Sequence, residues 1–148
     1  MERLLTRDEF RESVFKRDNH TCVLCGKPAV DAHHIMERRL FSGHQAGGYF
    51  LSNGASVCAE CHLKCESTEV SVEEVRAAAG INNPTIPDHL SPTQTYDKWG
   101  NCVLSDGSRT KGELFSDESV QKILAKGKVL DRFIDRMKYP RTFRMPLS

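Results

Sequence analysis

Near the N-terminus apolar residues recur at helical spacing, with Leu5, Phe10 and Val14 set among charged positions. Thr6 and Glu9 form a capping-box pattern, and Leu5 and Phe10 stand where a hydrophobic staple would sit. A helix is therefore predicted over residues 7–17, with Phe10 and Val14 on its buried side. Residues 21–35 read as two short strands: Cys22, Val23 and Leu24 in the first, a turn at Gly26-Lys27-Pro28, and a return over 29–35. Residues 36–50 contain Gly43, Gly47 and Gly48 and read as a loop. The spacing of Cys61, His62, Cys65 and Glu66 predicts a short helix beginning near Cys61. Ser71 and Glu74 open another helix, which Gly80 closes.

Three prolines between residues 82 and 92 enforce an extended connector. The turn pairs Gly100-Asn101 and Asp106-Gly107 then mark a hairpin pair over 96–112. Ser116 is the predicted cap of a helix carrying Val120, Ile123 and Leu124, with Gly127 at its end. A second amphipathic stretch over 130–137 stops at Pro140. The fold class expected is α+β, with a core of about residues 20–68 inside an N-terminal unit (1–80) and a C-terminal extension (81–148).

Composition narrows this picture. At 148 residues the chain can bury a core without covalent staples. No stretch approaches the ~18 apolar residues of a membrane span, and the acidic N-terminal stretch lacks an apolar signal core, so a cytoplasmic location is expected. The formal charge is only +1, with 21 Lys+Arg against 20 Asp+Glu, which argues against binding a polyanion by bulk charge. The distribution is uneven: residues 1–45, 46–80 and 81–148 carry net +1, −3 and +3. Residues 122–144 hold eight basic groups, including Lys122, Lys126, Arg132 and Arg136, against Asp131 and Asp135.

Six cysteines in 148 residues is far below the ~8–10% of a secreted disulfide scaffold. Four stand in pairs, Cys22-x-x-Cys25 and Cys58-x-x-Cys61, separated by 32 residues. Two such turns supply the four soft ligands of a closed tetrahedral Zn2+ site, which leaves no open coordination position and is structural. Two disulfides or four free thiols are the alternative. Cys65 and Cys102 remain outside the set.

Asp31-Ala-His33-His34-Ile35 follows the first cysteine pair, Gly47-Gly48 and then Asn53 come next, and His62 adjoins the last cysteine with Glu66 four residues on. Closing the four-cysteine site brings these histidines together. From Cys22 to Glu66 the order and spacing resemble the HNH endonucleases of the His-Me finger, or ββα-metal, class. The resemblance implies a ββα-metal core in which His33 and His62 ligate a catalytic divalent cation, Mg2+ or Mn2+. It implies His34 as the general base, Asn53 as the residue that orients it, and Glu66 as a further ligand found in some relatives. Asp31, two residues before His33 on one strand face, is expected to accept the proton of the outer His33 nitrogen. Adjacent strand residues point to opposite faces, so the strand is expected to end or bulge at the His pair. The activity implied is hydrolysis of phosphodiester bonds in DNA, with RNA as the other candidate substrate.

Around this constellation Arg38, Arg39 and His44 are candidate phosphate contacts or merely solvated loop residues. Trp99 reads as a hairpin core residue or a stacking platform for an unpaired base. The basic stretch with Lys122, Lys126, Arg132 and Arg136 is a candidate nucleic-acid track. Residues 138–142 faintly resemble the opening of phage-type RNA ligase domains, which would make the chain part of a larger repair or ligation protein. The competing functional class is a zinc-finger nucleic-acid-binding module without catalysis.

Overall fold

A computed structural model describes residues 2–43 and 46–126 of the chain. The first helix, α1 (Arg7–Arg17), matches its predicted bounds, and both capping-box bonds are present: Glu9 N–H to Thr6 Oγ1 at 3.2 Å and Thr6 N–H to Glu9 Oε1 at 2.9 Å. Phe10 and Val14 are buried. Arg17, paired with Asp18, reaches the carbonyls of Leu51 (2.9 Å) and Gly54 (2.6 Å), and Asp18 in turn accepts the Ser56 N–H. These bonds fasten α1 across the strand behind it.

The predicted first hairpin is replaced by a different pairing. Residues 31–34 form β1 (Asp31–His34), whose partner is β2 (Gly54–Val57), in the antiparallel register Asp31↔Val57 to His34↔Gly54. Residues 22–24 are not a strand because the cysteine turn uses their hydrogen bonds internally. Gly26 N–H donates to the Cys22 carbonyl, Cys22 N–H donates to Lys27, and Gly26 adopts φ 81°. The tight loop so formed is stitched to β2, with Val23 N–H on the Ser56 carbonyl and Val30 N–H on Val57. All four β2 residues are buried, which is why this strand draws partners from both sides.

Helix α2 (Ala59–Glu66) begins two residues earlier than predicted, because Cys58 is its N-cap and its sulfur accepts the Cys61 N–H. Helix α3 (Val72–Ala79) has the expected Ser71–Glu74 capping box and ends at Gly80 in the left-handed conformation, φ 73°. After the connector come three two-residue strands, β3 (Thr95–Tyr96), β4 (Cys102–Val103) and β5 (Arg109–Thr110), in one antiparallel sheet. The last described helix is α4 (Glu118–Lys126). Asp117, not the predicted Ser116, caps it: the Asp117 Oδ1 accepts the N–H groups of Ser119 and Val120.

The fold is α+β. A main hydrophobic cluster runs from Cys22 and Met36 through Val57 and Cys65 to Trp99, Leu114 and Leu124, joining residues on both sides of position 80. A smaller cluster joins Phe10, Val14 and Tyr49. Among the described residues no helix is long and apolar enough to cross a membrane. The predicted amphipathic stretch at 130–137 and the likeness at 138–142 lie outside the described residues.

Candidate metal centre and active site

The loop of residues 21–28 and the start of α2 bring Cys22, Cys25, Cys58 and Cys61 together, with their four sulfurs all within 4.8 Å of one another. All four are free thiols. Cys25 Sγ and Cys58 Sγ are 3.6 Å apart, too far for a disulfide and close to the ~3.8 Å edge of a tetrahedron with Zn–S bonds of ~2.3 Å. Burial works to raise the Cys22 thiol, but main-chain N–H groups of Cys58, Leu24 and Cys25 outweigh it and bring the thiol down to about 6. The group can hold a metal ion, and its donor set is compatible with structural zinc. Cys65 is on the buried side of α2 and stands outside this group. Burial pushes its thiol up to about 12, the signature of an inert packing residue.

β1 ends at His34 without a bulge, so the two histidines address opposite faces. His33 is 2% exposed and meets His62 of α2 edge to face, ring centroids 5.0 Å apart. His62 lies between two carboxylates: Nδ1 is 3.0 Å from Asp31 Oδ2 and Nε2 is 3.1 Å from Glu66 Oε1. Asp31 therefore partners His62 rather than His33, because the strand pleat sets it on the α2 side one step beyond His33. The Nδ1 of His33 is buried with no hydrogen-bond partner. A buried, unpartnered imidazole nitrogen on a ring that meets His62, which itself touches Glu66, fits a divalent cation in its donor types. Among the described residues, however, the four sulfurs are the one group of three or more ligand atoms that closes within 4.8 Å.

On the other face His34 is stacked on Phe10 of α1, with centroids 4.5 Å apart and planes 8° from parallel. Tyr49 stands edge-on to it at 4.9 Å. The Nε2 of His34 is buried and without a partner. This ring borders a cleft of about 480 Å³ lined by Arg7, Asp8, Phe10, Arg11, Asp31, Ala32, His34, Arg38, Tyr49 and His62. Arg38 Nη1 donates to the Tyr49 hydroxyl at 2.7 Å.

Asn53 is 1% exposed, and its side chain bonds main-chain groups. Its Oδ1 accepts the Met36 N–H at 2.9 Å, and its Nδ2 donates to the carbonyls of Met36 (3.0 Å) and Gly48 (3.1 Å). It thus clamps the segment leaving the His pair to the glycine loop, and the Ile35 N–H on its own carbonyl completes the tie.

Burial first, then the charges of Lys98, Arg38 and His62, lower His34 to about 3; burial, Lys98 and the neighbouring histidines drive His33 well below its ordinary value. Both are neutral at pH 7, the form that accepts a proton or ligates a metal. For His62 burial also opposes the charged form, but Glu66 and Asp31 prevail and raise it.

The remaining sequence candidates divide. Arg38 lines the His34 cleft. Arg39, read as a phosphate contact, is instead committed to Glu37 (3.2 Å) and Asp117 (3.1 Å) and ties the loop to the cap of α4. Lys122 and Lys126 are exposed on α4, which does not line the cleft. His44, Arg132 and Arg136 lie outside the described residues. Trp99 is core, 1% exposed, so it offers no face to a base. Sequence reasoning missed Phe10, Tyr49, Arg7 and Arg11 as residues of the cleft. The i, i+4 spacing of Arg7 and Arg11 was the available signal, since it sets both on one side of α1.

No family model matches the chain, no curated protein matches it, and no solved structure matches it.

Proposed function

We propose that this chain is an HNH endonuclease that hydrolyses phosphodiester bonds in DNA, with a structural zinc held by Cys22, Cys25, Cys58 and Cys61. The observation that carries the reading is the pair of orphaned imidazole nitrogens on adjacent residues, His33 Nδ1 and His34 Nε2. A buried polar atom left without a partner costs free energy, and here two of them flank a strand end beside an arginine-lined cleft. His33, His62 and Glu66 would hold the catalytic cation, Mg2+ or Mn2+, which when bound stabilises charge on the phosphate and the departing 3′ oxygen.

The chain's own residues do the rest. His34, neutral and oriented between Phe10 and Tyr49 at the edge of the cleft, takes a proton from the attacking water. In the free protein burial first, and then the charges of Lys98, Arg38 and His62, make it a weak acceptor; a negative phosphate entering beside it opposes the influence of those charges. Asn53 keeps the strand end from drifting by holding Met36 at both its N–H and its carbonyl. Arg7, Arg11 and Arg38 supply the positive rim along which a phosphate backbone enters the cleft.

The test is nicking of supercoiled plasmid by the zinc-loaded protein with Mg2+, Mn2+ or EDTA. Cleavage that needs the divalent cation, leaves 5′-phosphate ends and is lost in His34→Ala is expected. DNA binding without cleavage under every metal would overturn the enzyme in favour of a zinc-dependent binding module.

A further inference from the structure

Lys98 is 6% exposed. Its Nζ donates to the main-chain carbonyl of His34 at 2.7 Å, stands 4.0 Å from Glu37 Oε2 and lies 5.0 Å from the Trp99 ring centroid. A single hydrogen bond and a long ion pair do not offset the desolvation of an ammonium group, so stability alone does not account for a lysine here. A methionine of similar length would fill the space at less cost.

The neighbouring contacts show what the position is linked to. The Glu37 N–H donates to the Lys98 carbonyl at 3.0 Å, so both ends of the residue grip the segment that leaves β1. The next residue reaches the other side of the candidate metal site: Trp99 Nε1 donates to the Glu66 carbonyl at 2.8 Å, at the last residue of α2. The dipeptide therefore spans the strand end that carries His33 and His34 and the helix end that carries Glu66. It is itself rigid. It sits in the turn between β3 and β4, where the 4% exposed Asp97 carboxylate accepts the N–H groups of Trp99 and Asn101 and an Arg109 Nη1–H at 2.8 Å. Gly100 closes the turn at φ 85°.

We propose that Lys98 is a positioning residue of the candidate active site, which with Trp99 fixes the separation between the His33–His34 strand end and the Glu66 end of α2. The proposal rests on the nuclease reading for the identity of the site, and on the three hydrogen bonds for its geometry. The turn between β3 and β4 is in this view part of the site's frame.

The experiment compares the full-length, zinc-loaded wild type with Lys98→Met, Lys98→Arg and Trp99→Phe. Zinc content and thermal midpoint report the fold, Mn2+ titration followed by electron paramagnetic resonance reports the cation site, and plasmid nicking gives kcat and KM. Lys98→Met is expected to keep its zinc and its midpoint. Its Mn2+ affinity or its kcat should fall by roughly 10- to 100-fold, the usual cost of losing an outer partner of a metal site, with KM for DNA little changed. Lys98→Arg, which keeps the charge and the donors, should recover most of the loss, and Trp99→Phe should move the same readouts in the same direction.

Wild-type Mn2+ affinity and kcat in Lys98→Met overturn the proposal and leave the nuclease reading standing. An equal loss in Lys98→Met and Lys98→Arg accompanied by a lowered midpoint also overturns it, in favour of packing. If the wild type binds Mn2+ without cutting, the nuclease reading fails and the Mn2+ affinities still decide the role of Lys98. A wild type that neither binds nor cuts overturns both.

Discussion

Gly54 faces α1 at the point where β2 opposes His34, and no side chain fits there. A Cβ on Gly54 would collide with Val14 Cγ2 and stand 2.7 and 2.8 Å from ring atoms of Phe10. Carbon atoms rest at ~3.5–4.0 Å, so Gly54→Ala must displace the helix or both side chains by about an ångström. Overpacking of this kind costs about 1–3 kcal/mol. At ~2–4 °C per kcal/mol for a chain of this size, the midpoint should fall by roughly 2–12 °C. Phe10 is the ring on which His34 stacks, so the same displacement should reach the candidate base, and a misplacement of ~1 Å can cost on the order of 100-fold in rate. Val14→Ala removes the nearest obstacle. Taken alone it should cost about 2 kcal/mol for the lost methyl groups, but in the double variant it relieves the clash. Urea denaturation of the two single variants and the double should therefore give a coupling of at least ~1 kcal/mol in the direction of rescue. Additive losses, or a Gly54→Ala variant as stable as the wild type, would refute this packing of α1 on β2.

Other consequences can be measured in the same preparations. Asn53→Ala removes three buried hydrogen bonds and strands their main-chain partners, so a loss of about 3 kcal/mol in urea denaturation is expected; a loss under 1 kcal/mol would mean the clamp is not made. If the four sulfurs hold the zinc proposed above, chelation should lower the midpoint and free the 21–28 loop from α2, read by calorimetry and thiol titration; an unchanged midpoint would refute a structural zinc there. His34 is neutral in the fold down to about pH 3 and takes up a proton near 6.5 once unfolded. Its contribution is therefore complete above pH 6.5 and is lost as the pH falls from there towards 3, at up to about 1.4 kcal/mol per pH unit. His34→Gln should flatten the slope between pH 7 and 5, and an unchanged slope would place the titration elsewhere. If DNA enters the cleft as proposed, Arg7→Gln with Arg11→Gln should weaken its binding and reduce the salt dependence by up to two counterions; an unchanged salt slope would move the backbone off α1.

Much of the local structure was legible because it is encoded locally. Thr6 with Glu9 and Ser71 with Glu74 are self-contained instructions, satisfied within one turn, and both helices appear where those residues set them. The four cysteines were legible for a similar reason, since ligand type and spacing identify a closed site without any knowledge of the intervening chain. What failed was pairing between distant segments. Val23 and Leu24 have the apolar pattern of a strand, but the cysteine turn consumes the bonds a hairpin needs, and β1 finds its partner some twenty residues on. The N-cap role of Cys58 was hidden because cysteine is not a usual cap, and that of Asp117 because Ser116 offers the same chemistry one residue earlier.

The candidate site shows the same division more sharply. The resemblance spans residues 22–66, but β1 and β2 have four residues each and cannot bury a core between them. The rigidity that an imidazole base requires must come from elsewhere in the chain. On one face Phe10 and Tyr49 fix the plane of His34; behind it Lys98 holds the His34 carbonyl and Trp99 the end of α2; below, the four sulfurs join the loop to the start of the same helix. Phe10, Lys98 and Trp99 lie outside the segment that carries the motif, while Tyr49 and the four cysteines lie within it. A fragment cut at residues 20–68 would keep every candidate ligand and lose α1 and the turn between β3 and β4. Its His34 should titrate nearer 6.5, because the stacked ring of Phe10 and the charge of Lys98 are both removed with the flanking segments. Proton resonances of the imidazole ring followed across pH would read this directly: a His34 in the fragment still resistant to protonation at pH 5 would show that residues 20–68 suffice to shield this ring.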